Sequence, residues 1–99
     1  MNRFDPLALA VWSNGNWQRN ETPVSLAGFC FDARQLKPGE CFVALSSGAR
    51  DGHGFTAQAV EQGAVALLVE HSQDLPVPQL VVDDSLVAMG AIGAGVRKG

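Results

Sequence analysis

Asp32-Ala33-Arg34-Gln35-Leu36-Lys37-Pro38-Gly39-Glu40-Cys41-Phe42-Val43-Ala44-Leu45 runs directly into Ser46-Ser47-Gly48-Ala49-Arg50-Asp51-Gly52-His53-Gly54-Phe55. A turn, a buried strand and a Gly-rich polar loop follow one another here. Lys37-Pro38-Gly39 is the turn: proline fixes φ at one central position and glycine allows a positive φ at the next. Cys41 to Leu45 is a continuous apolar run, the pattern of a strand covered on both faces. Phe55 to Gln62 predicts a short helix with Phe55, Ala59 and Val60 turned inward and Gly63 as its stop. Ala64 to Val69 is a second buried strand. Strand, helix and strand make a βαβ unit, for which a right-handed crossover is expected.

Outward from that unit the chain stays α/β. Asp5-Pro6-Leu7 starts a helix, with Asp5 as N-cap and Pro6 at the first helical position, and Asn14-Gly15 ends it. Trp17 begins a short extended piece, and residues 24–31 are apolar enough for a strand. Leu75-Pro76-Val77-Pro78 is a stiff connection to a last short strand, Gln79 to Val82. Asp83-Asp84-Ser85 caps a final helix whose inner face is expected at Leu86, Met89, Ile92 and Val96. Gly90, Gly93 and Gly95 each weaken that helix by about 1 kcal/mol relative to Ala, so it needs a packing partner. The predicted fold is a small layered α/β domain with a mixed or mostly parallel sheet of about four to five strands and about three helices.

The chain has 99 residues, enough for one domain with one modest core. Its net charge of −3 argues against general nucleic-acid binding, which needs a basic face. One anionic ligand remains compatible, because backbone N–H groups and one or two arginines suffice for it. The N-terminus lacks a basic region followed by an apolar stretch, and no apolar run approaches the length of a membrane span, so a cytoplasmic protein is expected. Cys30 and Cys41 sit among apolar neighbours and read as reduced core thiols; they do not form a CxxC pair.

The loop chemistry points to binding. Arg34 follows one strand and Arg50 lies in the loop after another, so neighbouring strands would bring both guanidiniums to one cleft. Arginine offers forked donors to a phosphate or to a planar carbonyl-bearing base. Ser46, Ser47 and the backbone of Gly48 and Ala49 add donors and close backbone access. Asp32–Arg34 and Arg50–Asp51 can equally be surface charges. Asp51 and His53 fit a loop-ordering role better than an acid–base pair. There is no GxxxxGK[ST] loop, no Ser–His–Asp or Cys–His constellation, and no zinc spacing for His53, His71 and the cysteines.

Asp32-Ala33-Arg34, Lys37-Pro38-Gly39-Glu40-Cys41-Phe42-Val43-Ala44-Leu45, Asp51-Gly52-His53-Gly54-Phe55 and the Ala59 to Gly63-Ala64 segment together resemble the N-terminal domain of the Mur ligases. These ATP-dependent enzymes build the peptide stem of bacterial peptidoglycan. The resemblance spans about residues 24–97. It implies that residues 1–99 are one N-terminal substrate-binding domain of a longer ligase, whose central ATP-binding and C-terminal domains lie elsewhere. Two kinds of member share such a domain, one adding the third stem amino acid and one the terminal dipeptide; Pro78-Gln79-Leu80-Val81-Val82-Asp83-Asp84 and the helix after it look more like the second. The resemblance implies uridine and UDP contacts at Phe31, Ala33, Gly48, Ala49 and Arg50, bordered by Arg34, Ser46 and Ser47. Ala33 stands where the family has a hydroxyl. Asp51 and His53 order the loop. No catalytic or metal-binding residue and no cofactor is expected in this domain; ATP and Mg²⁺ belong to the parent ligase. The expected partners are a UDP-MurNAc-peptide and the ligase's own central domain, with neither nucleic acid nor membrane. A non-catalytic regulatory or interaction domain of the same fold is the alternative.

Overall fold

Residues along a central strand point alternately to two faces, and both faces of this one are covered. The computed structural model describes residues 5–23, 26–47 and 50–98. Their elements in order are α1 (Pro6–Ser13), β1 (Asn16–Trp17), β2 (Gly28–Cys30), β3 (Glu40–Val43), β4 (Ser46–Ser47), β5 (Arg50–Asp51), α2 (Thr56–Gln62), β6 (Ala66–Val69), β7 (Gln79–Val81) and α3 (Ser85–Lys98). The main sheet has the order β1-β7-β6-β3-β2. Strands β2, β3, β6 and β7 run parallel, and β1 pairs antiparallel with β7. Cys41 and Val43 of β3, with Ala66 and Leu68 of β6, pack with Leu9 of α1 and with Ala88 and Ile92 of α3. Phe42, Ala44, Leu67 and Val69 point the other way and pack with Ala59 of α2. The result is a sheet between two helical layers, and the βαβ unit is β3-α2-β6.

The helix ends are built as the sequence predicts. Asp5 accepts a hydrogen bond from the Leu7 N–H at 3.2 Å, and Asn14 closes α1 in the left-handed region at φ 57°. Gly39 and Gly63 hold φ at 94° and 109°, a region that disfavours any residue with a Cβ. The Gly39 N–H donates to the Gly63 carbonyl at 3.1 Å, so the turn before β3 is tied to the turn before β6. At the far corner Trp17 is buried, and its indole N–H donates to the Pro6 carbonyl at 2.7 Å.

Four expectations are corrected. Phe55 does not face inward: it is 53% exposed, and Thr56 and Ala59 make the buried face of α2. Leu86 is 64% exposed, whereas Ser85, Ala88 and Ile92 are buried and Met89 is half-buried. The cause is the contact with α1. Trp12 lies so close to Gly95 that a Cβ there would overlap the indole, so α3 turns its small residues toward α1. The segment 46–54 is no plain loop, because β4 and β5 pair antiparallel and a 3₁₀ turn (Gly52–Phe55) follows. The strand expected over 24–31 is confined to β2; Val24 and Ser25 lie outside the described residues.

Candidate functional site

Four parallel strands end at one edge of the sheet, where loops leave the hydrogen-bonded ladder and backbone groups become available to a ligand. The candidate residues follow the two strands at one side of that edge. Phe31, Ala33 and Arg34 come directly after β2. Ser46 and Ser47 form β4, Arg50 and Asp51 form β5, and His53 lies in the 3₁₀ turn after them. Strands β2 and β3 are neighbours, with Cys30 beside Phe42, so the two segments leave side by side. Ser46 pairs with Asp51 and Ser47 with Arg50, which makes the second segment a hairpin. Gly48 and Ala49, between β4 and β5 in the chain, lie outside the described residues.

After β2, neighbouring residues have different surroundings. Phe31 is 55% exposed, an open aromatic face at the edge. Ala33 is 3% exposed and packs with Leu36, Phe42 and Ala44. Its methyl is inside the core, so this position offers a ligand its backbone. Asp32 and Arg34 form a compact unit. Asp32 Oδ1 accepts the Arg34 backbone N–H at 2.9 Å and Nε–H at 3.3 Å, while Oδ2 accepts Nη2–H at 3.2 Å. The Asp32 carbonyl accepts the Gln35 N–H at 3.0 Å, which closes the turn. The side-chain hydrogen bonds that Arg34 donates to Asp32, and then the Asp32 charge, hold the Arg34 guanidinium pKa above its ordinary value. The Arg34 side chain remains 78% exposed.

The other side of the edge is cross-linked from within. Glu70 Oε2 accepts the backbone N–H of Ser85 at 2.8 Å and its hydroxyl at 3.0 Å. Asp84 Oδ1 accepts the Val87 N–H at 3.0 Å. The chain's own carboxylates therefore satisfy the N-terminus of α3, where unpaired N–H groups would otherwise attract an anion. At the opposite end of β7, where that strand begins, the buried Gln79 amide acts as a short piece of strand. Its Oε1 accepts the Gln73 N–H and its Nε2 donates to the Gln73 carbonyl, both at 2.6 Å. Sequence reading missed Glu70, Gln73 and Gln79 as structural residues. The available signal was a glutamine at the head of an apolar strand, where burial demands a partner.

Register also decides the cysteines. Phe29 lies beside Cys41, and Cys30 beside Phe42, so the two thiols point to opposite faces of the sheet. They are free, and no dithiol chemistry links them in the fold. Burial raises the Cys41 pKa well above its ordinary value, which keeps the thiol neutral. Among the described residues no group of three His, Cys, Asp or Glu could hold a metal ion, and no helix is long and apolar enough to cross a membrane. The groups at the β2–β3 edge suit binding: an aromatic face, an oriented guanidinium, and hairpin backbone.

No protein-family model matches the chain. It is 40% identical over 83 residues to UDP-N-acetylmuramoyl-tripeptide–D-alanyl-D-alanine ligase of Escherichia coli (strain K12), covering 84% of this chain and 18% of that protein. It is 36% identical over 69 residues to UDP-N-acetylmuramoyl-L-alanyl-D-glutamate–2,6-diaminopimelate ligase of Listeria monocytogenes, covering 70% of this chain and 14% of that one. The crystal structure of MurF from Acinetobacter baumannii matches with a TM-score of 0.88 and 32% identity, over 93% of this chain and 20% of that chain. The chain thus spans less than a fifth of the length of these curated relatives. By sequence and by fold, these 99 residues belong to the Mur ligase family and have the architecture of its N-terminal domain.

Proposed function

We propose that this domain docks the uridine end of a UDP-N-acetylmuramoyl peptide for an ATP-dependent ligase of peptidoglycan precursors, the one that adds D-alanyl-D-alanine. The observation that carries the reading is the side-by-side exit of residues 31–34 and 46–51 from neighbouring parallel strands. Phe31 would pack on the uracil ring, and the hairpin at Ser46, Ser47, Gly48, Ala49 and Arg50 would read the nucleotide through its backbone. Ala33 contributes backbone only, which makes the missing family hydroxyl less costly than a lost side-chain contact at the surface. Asp51 and His53 order the hairpin. Amide-bond formation, ATP and Mg²⁺ belong to parts of a parent ligase beyond these residues, whose central domain is the expected neighbour, and the setting is the cytoplasm. The match to the D-alanyl-D-alanine ligase of Escherichia coli covers 84% of this chain, more than the 70% and 79% covered by two of the diaminopimelate ligases, and this supports the choice of member.

The test is an NMR titration of the isotopically labelled chain with UDP-MurNAc-tripeptide at millimolar concentration. Shifts should concentrate at residues 31–34 and 46–53. Shifts confined to residues 70–85, or none at all, would overturn the reading and favour an interaction domain that has kept only the fold.

A further inference from the structure

We propose that Asp32 is a positioning residue that turns Arg34 into a reader of the uracil carbonyl edge and withdraws it from the diphosphate. The inference rests on the nucleotide-docking reading above and goes one step further, assigning base selectivity to one ion pair.

Three observations lead there. First, the pair is built from both ends: one carboxylate holds the Arg34 backbone N–H and grips its side chain through Nε and Nη2. A free surface arginine samples many rotamers, whereas this one is held in a single orientation relative to its own backbone. Second, the grip uses one edge of the guanidinium, and the side chain stays 78% exposed, so its outer N–H groups are open. Third, the carboxylate matches the charge at 3.2 Å. A phosphate approaching Arg34 meets that carboxylate as well, and the repulsion offsets the attraction. An uncharged acceptor meets no such penalty. It gains oriented donors from a pair with no net charge.

The chemistry of the bases supplies the rest. Uracil carries a carbonyl acceptor at its 4-position, where cytosine carries an amino donor. Donors held toward that edge accept the first and oppose the second. The pair lies at the β2 end of the edge, three residues along from the exposed Phe31, whose face suits a stacked ring. Arg34 would thus read the edge of a base whose face lies on Phe31.

The experiment measures the binding of UDP, CDP and uridine to the native chain and two variants by calorimetry or NMR. The native chain should prefer UDP to CDP by about tenfold, the size of one well-placed hydrogen bond. Arg34→Gln, which can both donate and accept, should bring UDP and CDP within about twofold of each other while leaving the UDP-to-uridine ratio unchanged. Asp32→Asn keeps an oxygen acceptor for the Arg34 backbone N–H but frees the guanidinium charge. It should lower the preference for UDP over CDP, raise affinity for UDP relative to uridine, and steepen the salt dependence of UDP binding. A merely structural Asp32 would weaken all three ligands together and leave their ratios alone, which would overturn the proposal. So would an Arg34→Gln chain that loses UDP but keeps uridine, the mark of a phosphate anchor. A native chain that binds UDP and CDP equally sinks this inference and leaves the docking reading standing. A native chain that binds neither UDP nor uridine sinks both.

Discussion

The two sides of the sheet, β6 with β7 and β2 with β3, differ in where their polar groups go. At β6 and β7 the chain spends them on itself: Glu70 takes two donors from Ser85, and the Gln79 amide fills both backbone groups of Gln73. At β2 and β3 the polar unit of Asp32 and Arg34 sits on the surface beside an exposed Phe31. Both sides share one sheet and the two apolar clusters that cover its faces, so the general stability of the fold does not separate them. The difference lies in desolvation. Buried polar groups must be paired, and a pair once buried is closed to a ligand. A surface pair costs little to keep and stays open. A parallel sheet offers its whole edge to a ligand, and the loops decide which part of the offer stands.

Breaking the closed half should have the largest effect. Gln79→Leu keeps the volume and strands the Gln73 N–H and carbonyl, so unfolding in urea should show a loss of about 2–4 kcal/mol. Nucleotide binding at the β2–β3 end should survive in whatever fraction remains folded. A loss within error would mean that water reaches Gln73 and that this half is not closed. Ser85→Ala removes one of the two donors that Glu70 accepts and leaves the other, so a loss of about 1–2 kcal/mol is expected in the same measurement. Arg34→Gln sits at the other extreme. The side chain is exposed, and the urea midpoint should not move. A clear drop there would show that the open half also serves the fold, and the contrast would fail.

The split explains what could be read from the chain beforehand. The buried strands, the βαβ unit, the Asp5 cap and the stops at Asn14, Gly39 and Gly63 follow from local rules, because run length, proline and glycine act within a few residues. The phase of α3 did not, since Leu86 looks more apolar than Ala88 and only the fit of Trp12 over Gly95 decides between them. Phe55 misled for a related reason: it precedes α2 as its N-cap, and its aromatic character outweighed its position. The β4–β5 hairpin escaped because two-residue strands of Ser, Arg and Asp carry no apolar alternation. In the candidate site, residue identities could be read but their surroundings could not. That Ala33 points inward while Arg34 is gripped by Asp32 is set by the turn that Asp32 itself closes, a matter of angles that no spacing rule expresses.

The chain has two tryptophans, and both lie at the corner where α1 meets α3 and β1. Trp17, on β1 at the margin of the sheet opposite β2, lends its indole N–H to Pro6, and Trp12 lies over Gly95 of α3. The protein thus carries a built-in optical probe of one corner. Its emission should report the undocking of the first helix with high contrast and stay nearly silent when a nucleotide arrives at the opposite margin of the sheet. A flat fluorescence titration would therefore say nothing against binding, and ligand work on this domain calls for a label placed near β2.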